Sequence, residues 1–151
     1  MKLQKQGGFL VAKIHQLAGR VFSRKLKEAK IIDLNPAQGR ILFALWQGDN
    51  IPIQELAVRT ALKKTTLTTM LDRLQEAGFI AKVPSPRDGR ETLIQLTERN
   101  RHMKDQYAQV SSEMNDLFYQ GFEDGEVELF EIQLRRILDN LIRVEHDVSQ
   151  H

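Results

Sequence analysis

Cysteine is absent from the 151 residues. That excludes disulfides, thiolate nucleophiles, cysteine-ligated zinc, iron–sulfur clusters and thiol-based redox sensing. Long apolar runs are missing too. The longest, Ile41 to Trp46, has six residues, against the roughly 20 that cross a bilayer. Near the N-terminus, the apolar stretch Phe9 to Ala12 follows Lys2 and Lys5 but stops at Lys13, too short for a secretory signal. No membrane partner is expected, and the expected location is the cytoplasm. The sequence also lacks a Gly-rich phosphate loop, a nucleophile elbow and paired carboxylates in a cleft motif. It is therefore not expected to be an enzyme. The histidines are His15, His102, His146 and His151, and no two stand at the i, i+4 spacing that helical metal sites favour. No metal and no cofactor are expected.

What is present is ordinary for a globular chain: 41% hydrophobic and 28% charged residues. That suffices to bury a core, in one domain or a domain with a helical extension. The net charge of +2 conceals a gradient: residues 1–50 carry +6, 51–100 carry +2, and 101–151 carry −6. A basic portion suits a nucleic-acid partner, and a basic helix packed beside an acidic one suits the same numbers.

Apolar spacing predicts helices. Leu10, Ile14, Leu17 and Val21 share one face of a helix from about Gly8 to Lys30. Asn35, Pro36 and Gln38 form a capping-box start for a second helix, with Ile41, Leu42, Leu45 and Trp46 as its stripe. Gly48 is expected to end it at positive φ. Trp46 is assigned to the core. Pro52 opens a short helix with Ile53, Leu56 and Ala57 inward, and Ala61 and Leu62 form a turn. Leu67, Leu71 and Leu74 then define a helix from about Lys64 to Ala77, closed by Gly78. Residues 79–83 and 92–96 read as a β-hairpin, expected to hold the only strands. Thr97 is expected to cap a helix carrying Met103, Tyr107, Val110, Met114 and Leu117. After a break near Gly121 to Gly125, Val127, Phe130, Leu134, Ile137, Leu141 and Val144 continue with heptad-like rhythm. The fold class is mainly α with a small β-hairpin.

Helix–turn–helix followed by a basic-tipped hairpin is a winged-helix layout, whose second helix fits a major groove. Three motifs add to this: Leu34-Asn35-Pro36-Ala37-Gln38, the run Leu71-Asp72-Arg73-Leu74 ending in Gly78-Phe79-Ile80, and Asp88-Gly89-Arg90 followed by Leu93, Leu96 and Thr97. In this order the chain resembles the multiple-antibiotic-resistance regulator (MarR) family of winged helix-turn-helix transcription factors, from about Leu10 to Val144. The resemblance implies one MarR-like domain over 1–151. It has a winged helix-turn-helix lobe at 34–96 and a helical dimerisation region at 8–30 and 98–146. The family usually has glycine where Ala61 stands, and serine or threonine where Lys63 stands.

Lys63, Lys64, Thr65, Thr66, Thr68 and Thr69 cluster at the start of the second helix. Lysine ammonium groups suit phosphates. Threonine hydroxyls and methyls suit phosphates and thymine methyls, or Thr65 or Thr66 caps the helix. Lacking an oxygen cap at Lys63, the helix either starts later, at Thr65, or leaves its end to water or phosphate. Arg73 reaches DNA by resemblance, or pairs with Asp72 or Glu76. In the wing, Arg87 is expected at the tip, facing a minor groove. Ser85 is a candidate hydroxyl donor to phosphate. Asp88 is expected to pair with Arg90 and stabilise the wing, leaving Arg90 a role on DNA as well.

The expected function is a DNA-binding transcriptional regulator, a ligand-responsive repressor on a pseudo-palindromic operator. Its expected partners are double-stranded DNA and a second copy of the chain. The resemblance implies a small anionic, often phenolic effector; His15, Arg20, Trp46 and Tyr107 are candidate lining without forming a recognisable site. The alternative is a winged-helix subunit that binds only protein.

Overall fold

The computed structural model describes residues 4–32 and 34–149, so Lys2 and His151 lie outside the described residues. The elements in order are α1 (Gly7–Glu28), α2 (Pro36–Trp46), β1 (Ile51–Pro52), α3 (Ile53–Thr60), α4 (Lys64–Glu76), β2 (Ile80–Pro84), β3 (Thr92–Leu96), α5 (Glu98–Phe118) and α6 (Asp124–Ser149). The chain is mainly α. It divides into two compact units, residues 1–112 and 113–151.

In the first unit, α2 begins as its sequence requires. The Asn35 side chain accepts from the Gln38 amide at 2.8 Å, and the Gln38 side chain accepts from the Asn35 amide at 3.1 Å. Two otherwise orphaned donors are thereby satisfied reciprocally. Helix α4 turns Leu67, Leu71 and Leu74 wholly inward. Each fully buried leucine contributes roughly 1.5–3 kcal/mol relative to exposure. They join Ile41, Leu42 and Leu45 of α2, Leu56 of α3, Phe79, Ile80 and Ile94 of the sheet region, and Tyr107 and Val110 of α5 in one core. Gly78, at φ +86°, reverses the chain after α4.

The sheet has three antiparallel strands in the order β1-β3-β2. Ile80 pairs with Leu96 and Pro84 with Thr92, which fixes the hairpin register. The third strand corrects the expectation of a lone hairpin: Ile51 pairs with Ile94 and Pro52 with Leu93. Two residues carry no detectable alternation, so only their partner reveals them. The reversal after α2 also differs. Gly48 is not at positive φ; Asn50 is, at 62°. The Asn50 amide donates to the Ile94 carbonyl and its side chain accepts from the Gln95 amide nitrogen. The turn is therefore placed where the chain joins β3, at an asparagine, one of the few residues that visit this conformation readily. Thr97 stands directly before α5, and its carbonyl accepts from the Asn100 amide at 3.1 Å. Its hydroxyl donates to the Gly78 carbonyl, tying the end of β3 to the α4–β2 turn.

Trp46 is half-buried against the core. Its ring centroid lies 5.0 Å from that of Tyr107 and its indole N–H donates to Asn100 Oδ1. Tyr107 meets Phe22 edge-on at 5.5 Å. Burial pushes the Tyr107 phenol up to about 12, against a smaller opposing influence of the Arg40 charge.

In the second unit, Phe118, Tyr119, Phe122 and Phe130 form an aromatic cluster about the α5–α6 turn. The Tyr119 hydroxyl donates to Glu131 Oε2 at 2.8 Å. Along α6, Val127, Phe130 and Leu134 are half-buried, whereas Ile137, Leu141 and Val144 are exposed.

Candidate nucleic-acid interface

Helix α4 starts at Lys64, with Lys63 extended at the N-cap position and no side chain capping it. The later start at Thr65 is thereby set aside. The first amides of the helix have no intrahelical acceptor. No acidic residue stands in the first turn. Two lysines sit instead where the helix dipole is already positive, a disfavoured arrangement that a bound anion would relieve. Lys63, Lys64, Thr65 and Thr66 are all exposed.

Thr68 and Thr69 are exposed as well, but their hydroxyls are engaged. Thr68 Oγ1 donates to the Lys64 carbonyl at 2.7 Å and Thr69 Oγ1 to the Thr65 carbonyl at 3.3 Å. A hydroxyl that gives its proton to its own helix cannot also donate to phosphate. Thr68 and Thr69 therefore present methyls and oxygen lone pairs, which suit base edges better than backbone.

Thr66, Thr69 and Arg73 follow at spacings of three and four, so they share one exposed stripe opposite the buried leucines. Asp72 pairs with Lys82 of β2, across the α4–β2 turn. The Arg73 guanidinium forms no hydrogen bond or ion pair with any described residue, and its charge stays on the open face. Lys82 was not singled out from the sequence; only the turn at Gly78 brings it beside Asp72.

The wing loop is held by its own polar groups. The Ser85 amide donates to the Glu91 carbonyl at 2.8 Å, and the Glu91 amide to the Asp88 carbonyl at 2.9 Å. Ser85, expected to offer its hydroxyl to phosphate, is instead buried, and its Oγ accepts from the amides of Arg87 and Asp88 at 3.2 and 3.4 Å. It braces the loop from inside. Asp88 accepts from the Arg90 backbone amide at 3.1 Å, not from the Arg90 guanidinium. This is an aspartate turn, and it leaves the arginine charge outward. Arg87 and Arg90 are exposed, and neither guanidinium has a partner among the described residues. The first unit thus offers two basic features: the uncapped start of α4 and the tip of the wing.

Residues 34–92 match the model of the MarR family. Over 133 residues the chain is 26% identical to the HTH-type transcriptional repressor IacR of Pseudomonas putida, covering 88% of this chain and 78% of that one. A crystal structure of a mutant MarR from E. coli complexed with operator DNA aligns with a TM-score of 0.78 at 26% identity, over 87% of this chain and 92% of that one. The chain is similar to the MarR family, most directly over residues 34–92 of the winged helix-turn-helix. Its fold is also that of Bordetella bronchiseptica BpsR, with a TM-score of 0.80 at 22% identity over 92% and 97% of the two chains.

In this chain Ala61 keeps the backbone that glycine would adopt, at φ 56°. His15 and Arg20 lie exposed on α1, whereas Trp46 and Tyr107 are packed together in the core. Among the described residues no three His, Asp or Glu side chains gather as a metal site, and no helix is long and apolar enough to cross a membrane.

Proposed function

We propose that the chain is a transcriptional repressor that binds double-stranded DNA as a homodimer in the cytoplasm and has no catalytic activity. Helix α4 enters the major groove with Thr65, Thr66, Thr68, Thr69 and Arg73 toward base edges, while Lys63 and Lys64 hold phosphates. Arg87 and Arg90 reach the neighbouring minor groove, where negative potential is concentrated. Ser85 and Asp88 shape the loop that carries them. The observation that carries this reading is the start of α4. An exposed, uncapped helix end with two lysines and no acid is unfavourable alone and complementary to a phosphate backbone. A subunit binding only protein would have no need of it.

The dimer is supported by apolar faces left open on a single chain. Leu10, Ile14 and Leu17 of α1 and Ile137, Leu141 and Val144 of α6 are all more than 40% exposed. A second copy would bury them. Twofold symmetry then places two α4 helices about 34 Å apart and calls for a pseudo-palindromic operator. DNA binding of the fold relative BpsR is regulated by 6-hydroxynicotinic acid. A small anionic or phenolic effector is assigned to this chain by that analogy.

Mobility-shift binding to the DNA upstream of its own gene, across a salt series, tests the reading. Specific, steeply salt-dependent retention is expected. No specific complex at moderate salt refutes it.

A further inference from the structure

Helix α4 is held at its exit by the root of α5. It closes with a Schellman turn: the Phe79 amide donates to the Leu74 carbonyl at 2.9 Å and the Gly78 amide to the Gln75 carbonyl at 3.0 Å. Three successive carbonyls, of Ala77, Gly78 and Phe79, then accept from residues at the start of α5. Arg99 Nη1 donates to Ala77, the Thr97 hydroxyl to Gly78, and the Thr97 amide to Phe79 at 3.2 Å. The Arg99 guanidinium carbon lies 4.8 Å from the centre of the fully buried Phe79 ring. Its stem crosses Gly78, where an added Cβ would meet Arg99 Cδ and Nη1 at 3.5 Å.

Only Thr97 separates β3 from α5. The backbone has two soft dihedrals per residue, and rotation at this junction would tilt the winged-helix lobe against α5. Thr97 precedes the helix, so its bonds fix the junction and not the direction of α5. Arg99 lies within the first turn of α5, and its bond to Ala77 and its seat on Phe79 fix that direction relative to α4. The dipole of α4 also favours a cation at this C-terminal end. Helix α4 has 13 residues, about 20 Å at 1.5 Å per residue. A tilt of about 10° about its exit moves the Lys64 end by roughly 3.5 Å, about the rise of one base pair.

We propose that Arg99 is a positioning residue that sets the separation of the two α4 helices and so selects operators by the spacing of their half-sites. The inference rests on the reading of the chain as a DNA-binding homodimer with α5 in its dimer-forming part. Arg99 acts through α4 and not on a base. With the tie in place, a half-site displaced by one base pair meets a misplaced helix. Without it, the lobe turns on Thr97 and follows the displaced site. Contact with a single half-site is left as it was, because Lys63 to Arg73 ride on the same lobe in both cases. Asn100, in the same turn of α5, accepts from the Trp46 indole but is fully buried. Arg99 is exposed, so it is the tie that can be cut without opening the core.

The test uses the full chain as wild type, Arg99→Gln and Arg99→Met, with the DNA upstream of its own gene as probe. Footprinting defines the two half-sites. Fragments with one base pair inserted or removed between them, and with one half-site alone, complete the set. Wild type should lose about tenfold on the altered spacings, the cost of one misread base pair. For both variants that loss should shrink to about twofold on at least one altered spacing, with affinity for the single half-site within about twofold of wild type. A second readout needs no DNA. The chain has no cysteine, so a spin label on Thr65→Cys reports the distance between the two α4 starts of a dimer. Loss of the guanidinium should broaden that distribution by roughly 3 Å. The inference is overturned if the variants keep the wild-type spacing loss, if they keep the wild-type label distribution, or if they weaken every probe, the half-site included, by the same factor. A wild type that gives no specific complex or no inter-label distance refutes the DNA-binding dimer itself, a failure visible before any variant is compared.

Discussion

Ala61 is the place where a single methyl group should be measurable. It closes α3 in the left-handed region, φ 56° and ψ 25°, and is exposed. An L-residue pays roughly 1–2 kcal/mol there because Cβ crowds the following carbonyl. Alanine has no polar side chain to recover any of it. Ala61→Gly removes the conflict. Against this, glycine's freedom in the unfolded chain takes back about 0.4–1 kcal/mol. The exposed methyl contributes little packing, so the net expectation is a stabilisation of about 0.5–1 kcal/mol per chain. For a chain of this size that raises Tm by about 1–4 °C. Ala61→Asn should recover part of the gain, since asparagine tolerates this conformation. The assay is urea unfolding at matched protein concentration, because dimer stability depends on it. A lower urea midpoint for Ala61→Gly at unchanged m-value would refute the reasoning.

Gly39→Ala should destabilise. The new Cβ would stand 2.8 Å from the Tyr107 ring and closer still to its hydroxyl. Overpacking costs about 1–3 kcal/mol, and the better helix propensity of alanine returns roughly 0.8–1 kcal/mol. Tyr107→Phe in that background should recover part of the loss in urea unfolding. The Tyr107 phenol titrates near 12 in the fold against 10 unfolded, so the native state holds the extra proton between those values. Stability is then fully present below pH 10 and falls as pH rises toward 12, by roughly 2–3 kcal/mol in all. Tyr107→Phe should abolish that part of the alkaline loss seen by circular dichroism. Arg87→Ala should weaken operator binding several-fold with unchanged Tm, and Asp88→Ala should do so by a smaller factor through a looser wing; equal affinity for Arg87→Ala and wild type in mobility shift would remove Arg87 from the tip. Lys64→Ala should flatten the salt slope by roughly 2, one phosphate on each half of a dimer.

The legible parts of the site were those built by neighbours in the chain. The α4 leucines stand at helical spacing, and lysines and threonines at one helix start are visible as a cluster. What each polar group does with its proton was not legible. Thr68 and Thr69 turn their hydroxyls to carbonyls four residues back. Asp72, flanked by Arg73 and Glu76, pairs with Lys82 instead, because the Gly78 reversal brings β2 alongside α4. Ser85 looked like a surface hydroxyl among prolines and charges, yet the loop closes over it.

Composition and local pattern alone determined the absence of thiol chemistry, the capping box at Asn35, the inward leucine stripe and the glycine stop at Gly78. Each rests on contacts within about four residues, or on no contact at all. Tertiary structure decided the rest. It made Ile51 and Pro52 a strand, moved the reversal from Gly48 to Asn50, and spent the Thr97 hydroxyl on Gly78. It also brought Arg99 onto the Ala77 carbonyl and the Phe79 ring. These depend on partners more than 18 residues away in the chain, and periodicity within one segment does not reveal which distant group will supply the hydrogen bond or the charge.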